Sequence, residues 1–302
     1  MDRRQATGLA LAFGAYASWG LLSPISKRLL EDFAPMGANA VRFTIATLVM
    51  LPWLGRTGLH DALRLLRRRD VLWVNLLANG SLTLFLYSLV RLAPTFATLG
   101  FYSAPLFTAL LAGALLKERV GPWFVPAAIG LVAGGYLALF GPHVPGPGFD
   151  ALGMGLAVAS AVVWGLYTVE LRRRVPGIPF KPWMGAGFIA GTVWYGTLAL
   201  VLEGPPAVLH QEAATWGWVA LHVAFPTLSS FFLFNAALQR APAGPVNILV
   251  ALELSFTVLF SWLLFDETFT RWQLAGIGLA LASVSAYLYT QWKATPPTPA
   301  PA

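Results

Sequence analysis

The sequence predicts an all-α integral membrane protein of ten transmembrane helices, arranged as two inverted five-helix repeats around a central cavity. Three observations carry this. Hydrophobic residues make up 57% of the 302-residue chain and charged residues only 11%, against about 25% charged in a soluble domain. The apolar residues fall in blocks of about 20, the length that crosses a hydrocarbon core of about 30 Å. Local sequence also recurs at a nearly constant offset of 145 to 149 residues.

The predicted spans are Thr7–Ile25, Pro35–Leu54, Val71–Val90, Pro94–Leu116 and Trp123–Phe140, then Ala151–Glu170, Pro182–Leu202, Trp216–Ala237, Pro245–Phe265 and Trp272–Trp292. The domain plan is a first repeat over 1–141, a Gly/Pro linker over 142–150, a second repeat over 151–292 and a disordered tail over 293–302 of Ala, Thr and Pro behind its first residue, Lys293. Arg3 and Arg4 precede the first apolar run, but no small-residue cleavage site follows it, so it is read as a span and not a signal peptide.

The net charge of +7 sits mostly in short loops between apolar spans. It therefore reads as a topology signal and not as a nucleic-acid surface. With the N-terminus inside, Arg3, Arg4, Arg56, Arg64, Arg67, Arg68, Arg69, Lys117 and Arg119 lie on the inner side, as do Arg172, Arg173, Arg174, Lys181, Arg240 and Lys293. Only Lys27, Arg28, Arg91 and Arg271 lie outside. This bias predicts both termini cytoplasmic in a cell inner membrane. The chain has no cysteine, which excludes disulfides, thiolate metal sites and catalytic thiols.

The repeat is read residue by residue. Trp19-Gly20-Leu21 matches Trp164-Gly165-Leu166, and Ser23 and Lys27 match Thr168 and Arg172. Leu84-Phe85-Leu86-Tyr87 before Ala93-Pro94 matches Phe232-Leu233-Phe234-Asn235 before Ala241-Pro242. Leu115-Leu116-Lys117-Glu118 matches Leu264-Phe265-Asp266-Glu267, and Trp123 matches Trp272. An odd number of spans per copy gives the copies opposite orientations, the plan of many secondary transporters, with the site near the midplane between repeats.

In these features the sequence resembles the EamA-type ten-helix members of the drug/metabolite transporter superfamily. The resemblance rests on Trp19-Gly20, Trp164-Gly165, Arg42-Phe43, Ala104-Pro105-Leu106, Leu252-Glu253 and the span-ending acids Glu118 and Glu267, and covers about residues 5–292. It implies a central cavity lined mainly by spans one, three, four, six, eight and nine, with spans five and ten peripheral. It also implies alternating access, and export of amino acids and other metabolites or movement of drugs and nucleotide sugars. One departure is Leu254, where the family often has proline after the span-nine acid.

Glu253 lies near the middle of span nine, where a lone carboxylate must be protonated, paired or facing water. Two readings stand: a proton-coupling or substrate-amine site, and a hydrogen bond to a neighbouring helix. Arg42, in the outer third of span two, either attracts an anionic group such as a carboxylate, or pairs with a carbonyl or carboxylate or snorkels to the outer interface, and the second reading is favoured. Trp19 and Trp164 occupy matching places, and Tyr87, Tyr102 and Tyr167 fall on cavity helices. Aromatic walls suit a cation or an apolar solute, while ordinary packing explains them equally. Ser23, Asn79, Ser230, Asn235 and Asn247 supply polar groups able to hydrate a cavity, the asparagines being the stronger signal because an amide in lipid must find a partner. His222, in the outer part of span eight, is either a proton relay or an interfacial histidine, and the second is favoured. Gly134, Gly135, Gly276 and Gly278 permit close helix approach within the bundle.

No metal-ligand spacing and no phosphate-binding glycine motif is present, so neither cofactor nor ATP is expected. The leading expectation is a secondary-active exporter of amino acids or related small metabolites, driven by protons or another gradient. The alternatives are a nucleotide-sugar, phosphate-ester or drug transporter, an intramembrane enzyme, and a non-transporting scaffold. The expected partners are a small-molecule substrate and the bilayer, without nucleic acid, in a monomer or homodimer.

Overall fold

A computed structural model describes residues 3–117, 121–141, 150–174, 177–204, 211–238, 240, 249 and 251–294. Regular secondary structure among these is entirely helical. The helices are α1 Arg3–Gly20, α2 Leu22–Leu29, α3 Pro35–Leu65, α4 Arg69–Arg91, α5 Pro94–Phe101, α6 Ala104–Leu116 and α7 Phe124–Phe140. There follow α8 Ala151–Arg174, α9 Phe180–Leu198, α10 Ala213–His222, α11 Ser230–Leu238, α12 Ala251–Phe265 and α13 Arg271–Ala294. Among the described residues, seven helical stretches are long and apolar enough to cross a membrane, and Phe124–Phe140 and Leu252–Phe265 are shorter apolar helices. The linker over 142–149 and the tail from 295 lie outside the described residues, and α13 continues two residues past the boundary expected at 292.

The ends of the helices follow from local chemistry. Pro35 and Pro94 open α3 and α5, where a missing N–H is harmless. In α3, Pro52 and the left-handed Gly55 (φ 63°) set a kink, so the apolar run ends at Leu54 and a basic amphipathic turn continues to Leu65. Lys117 and Asp266, the residues after α6 and α12, both take left-handed conformations, at φ 58° and 50°.

Among the described residues, three spans are interrupted at helix breaks. Leu21 separates α1 from α2, Tyr102 and Ser103 separate α5 from α6, and a π-helical segment, Val223–Ser229, containing Pro226, joins α10 to α11. Backbone carbonyls around such breaks need donors in a dry environment. Hydroxyls provide them. Thr257 donates to Gly20 O at 3.2 Å, Ser103 to Gly100 O at 2.7 Å, Thr227 to His222 O at 2.7 Å and Ser230 to Phe225 O at 2.8 Å.

Long neighbours pack as α3 with α9, α7 with α13, α4 with α8 and α1 with α11. Two glycines make the α7–α13 contact possible. A Cβ on Gly134 would meet Gly276 O and Ala280 N, each at 2.6 Å, while Gly135 and Gly278 face open space. Gly20 lies against Phe256 and Thr257 of α12, and Gly165 of α8 against Phe107 and Thr108 of α6.

The two ends of the bundle collect the residues that the sequence sorted by side. At one end Arg91 pairs with Asp150 at 2.8 Å, Thr215 donates to Asp32 at 2.6 Å, and Glu203 accepts the N–H groups of Met36 and Gly37 at the start of α3. At the other end Lys181 lies near Trp53 and Gly58, Arg68 pairs with Asp70 at 2.6 Å, and Arg173 and Arg174 pair with Glu170.

Candidate functional site

Glu253 sits on the first turn of the described part of α12, beside Leu254, which is fully buried. The residue as a whole is of intermediate exposure, and its carboxylate makes no hydrogen bond or ion pair among the described residues. The phenols of Tyr16 on α1 and Tyr102 at the α5–α6 break both lie within electrostatic range of it. Each tyrosine is 4% exposed. The Tyr102 hydroxyl is buried without a partner in hydrogen-bonding geometry, although Ser285 of α13 lies close by. A carboxylate within electrostatic range of two phenols, with no cation paired to it among the described residues, is costly to ionise in a dry bundle.

Aromatic rings enclose this region. Trp19 packs on Tyr16 at 5.4 Å, on Phe231 at 5.6 Å and on Phe234 at 5.3 Å. Trp164 packs on Phe101 at 5.9 Å and on Tyr167 at 4.8 Å. Each tryptophan is therefore clamped by rings, and the Trp19 set reaches Glu253 through Tyr16. Sequence reasoning does not single out Tyr16. It lies one turn before Trp19 on the same helix face, and that spacing is the available signal.

Other predicted site residues are placed elsewhere. Ser23 shares a 2.6 Å hydrogen bond with Thr98, tying α2 to α5. Asn79 donates to Asn75 O at 2.8 Å, and its own carbonyl accepts Thr83 and Tyr195 hydroxyls. It fastens α4 to α9. Tyr87 lies near Glu203 at the end of the bundle that holds Asp150. Tyr167 packs with Val71, Val74 and Trp183 toward the opposite end. Ser230 is committed to its own helix backbone. The side chain of Asn235 and all of Asn247 and Glu118 lie outside the described residues.

Two expectations are corrected. His222 is not interfacial: it is 2% exposed, with Nε2 at 3.2 Å from Ser26 Oγ. The cause is the packing of α10 against α2, which covers it. Arg42 does not snorkel: it is 4% exposed, its Nε donating to Thr227 Oγ1 at 2.7 Å and its guanidinium lying 5.3 Å from the Phe43 ring centroid. It pairs with a hydroxyl and a ring, and with no carboxylate among the described residues.

One acid outside the spans is electrostatically distinctive. Glu267, just beyond α12, accepts a hydrogen bond from Thr95 at 3.2 Å. Burial pushes its carboxyl above the usual carboxylate range, against the opposing pull of Ser261 and Thr95.

Among the described residues no group of three acid or histidine side chains is arranged to hold a metal ion.

An all-helical bundle with helices of membrane-crossing length is the build of a membrane protein, and comparison with known proteins gives the family. The EamA-like transporter family matches residues 6–140 and again residues 151–289, and the chain belongs to that family. It is a multi-pass membrane transporter of the drug/metabolite superfamily. It is 26% identical over 265 residues to the threonine/homoserine exporter RhtA of Escherichia coli K12, covering 86% of this chain and 83% of that one. It is 25% identical over 311 residues to an uncharacterized transporter of Pseudomonas aeruginosa, covering 97% of each. It is 22% identical over 282 residues to human solute carrier family 35 member G1, covering 87% of this chain and 74% of the other. A solved crystal structure superimposes with a TM-score of 0.67 at 22% identity over 96% of this chain and 98% of its own, a likeness of fold.

Proposed function

We propose that the chain is a secondary-active exporter of threonine, homoserine or related small amino acids, working by alternating access between two inverted five-helix repeats, 1–141 and 151–292, in a cell inner membrane with both termini cytoplasmic. The observation that carries the reading is the unpaired Glu253 facing Tyr16 and Tyr102. A carboxylate in that place is costly to ionise in the dry state. Opening to water, or arrival of a substrate ammonium, removes the penalty and releases the proton. Proton exchange is thereby linked to the cycle. The aromatic surround of Trp19 suits an ammonium group by its ring faces.

Further support comes from the two family matches along one chain and from paired local geometry. Gly20 against Thr257 and Gly165 against Thr108 are the same contact displaced by 145 and 149 residues. The likeness to the threonine/homoserine exporter points to the substrate class.

The test is counterflow and net flux of radiolabelled threonine and homoserine in proteoliposomes, with and without an imposed pH gradient, for wild type and Glu253→Gln. Saturable flux that follows the gradient and is lost in the variant is the expected result. Saturable flux indifferent to both gradient and variant removes proton coupling through Glu253. No flux for any amino acid removes the proposed substrate class.

A further inference from the structure

A second polar cluster lies apart from Glu253, between α3, α9 and the α10–α11 span. Three side-chain nitrogens there are buried without a hydrogen-bond partner: Asn39 Nδ2, Arg42 Nη1 and His222 Nδ1. Their residues are 1%, 4% and 2% exposed. Asn39 and Arg42 are three residues apart on α3 and share a face. Asn39 lies close to the Tyr195 hydroxyl of α9 without hydrogen-bonding geometry, and both Tyr195 and His222 lie within the electrostatic range of Arg42. Thr227 joins the two halves, accepting from Arg42 Nε and donating to His222 O. The nitrogens therefore belong to one locus.

The chemistry of the locus is one-sided. A guanidinium and an amide NH2 only donate. His222 joins them as a donor in the tautomer in which Nε2 accepts from the Ser26 hydroxyl and Nδ1 carries the proton. No carboxylate among the described residues balances the Arg42 charge. A buried cation without a counter-charge is strongly unfavourable, and a hydrogen bond to a charged group is the stronger kind. A set of buried donors around an unbalanced cation is the complement of a small anion. Phe43, stacked on Tyr195 with ring centroids 5.0 Å apart, walls one side, which favours a compact, singly charged ligand over a hydrated divalent one.

We propose that Asn39, Arg42 and His222 form a closed site for one small monovalent anion, separate from the Glu253 centre. The anion is either a free halide or the carboxylate of a solute. The site does not rest on the transport reading: it would exist in a chain that moved no amino acid.

The experiment is thermal unfolding of the purified, detergent-solubilised full chain. Sulfate salts are replaced stepwise by chloride or bromide at constant ionic strength, and threonine is titrated separately in sulfate. The variants are Asn39→Ala, which keeps the cation and drops one donor, and Arg42→Met. A saturable rise in Tm with chloride or bromide, weakened about tenfold or more in apparent affinity by Asn39→Ala, establishes the free-ion form. A rise with threonine alone, weakened by the same variant, establishes the carboxylate form. In either case Arg42→Met abolishes the response, and bromide shows anomalous scattering at the site only in the free-ion form. Absence of any anion-dependent shift in wild type overturns the proposal, as does a shift that Asn39→Ala leaves unchanged. If Arg42→Met fails to fold, the Asn39→Ala result alone decides.

Discussion

Thr47 of α3 and Thr192 of α9 share a hydrogen bond of 2.8 Å between their hydroxyls, and they stand 145 residues apart. That separation is the repeat offset read from Trp19 and Trp164. Two residues that are copies of each other can touch only where the relating axis passes between them. The proposed two-fold therefore runs between α3 and α9 at this pair. Because the chain has no cysteine, the double variant Thr47→Cys/Thr192→Cys has two thiols and no background. Mild oxidation is expected to close an intramolecular disulfide, read as loss of maleimide labelling on an unshifted monomer. Full labelling after oxidation would place the pair apart.

Tyr102 offers a second test. Its hydroxyl is buried and unpartnered beside Glu253. Removing an unsatisfied buried hydroxyl is neutral or favourable to stability, by up to about 1 kcal/mol. Tyr102→Phe is therefore expected to melt at or above the wild-type temperature while binding amino acid more weakly. A melting temperature well below wild type would mean that the hydroxyl is structurally bonded.

The glycines of α7 and α13 make a matched pair of substitutions. Gly134 touches the partner backbone, whereas Gly135 faces open space. Gly134→Leu is expected to destabilise by about 1–3 kcal/mol or block folding, and Gly135→Leu to fold like wild type. The check is detergent-solubilised yield and Tm for both. Equal losses would show that helix propensity, not close approach, governs this span.

Glu267 gives a pH dependence whose sign is fixed by burial. Its folded-state carboxyl lies above the ordinary value, so the folded state holds a proton that the unfolded state has released. Stability from this group falls as pH rises through the window between the two values, and the loss is complete above the folded value. Glu267→Gln removes the loss. The variant should match wild type in acid and exceed it at neutral pH, by thermal melts across that range. A difference that shrinks toward neutral pH would reverse the assignment.

The helix positions are legible because hydrophobic blocks of span length leave few alternatives. The end of the apolar run of α3 at Leu54 is visible in Pro52-Trp53-Leu54-Gly55 followed by arginine. What stays dark in the sequence is side-chain direction. Asn79 and Tyr102 both fall on helices expected around the cavity. Asn79 is consumed by its own helix and by Tyr195, whereas Tyr102 turns toward Glu253 because the chain breaks at Tyr102–Ser103. A break of that kind moves a residue from one face to another without changing its spacing. His222 and Arg42 depart from expectation for a related reason: depth along a span says nothing about which neighbours close over it. The composition marks them as polar, and only the packing of α10 against α2 and of α3 against α9 buries them.

The hydroxyl-supported breaks at Leu21, at Tyr102–Ser103 and across Val223–Ser229 have a mechanical consequence. On one side of them the short half-helices are riveted together by Ser23–Thr98, Ser26–His222 and the Lys27 ammonium on Leu89 O. A span jointed partway along can swing its free half while its riveted half stays still. Under the proposed alternating access such a bundle would work as tongs with a fixed pivot, and lipid around the pivot would feel almost no change of girth during a stroke.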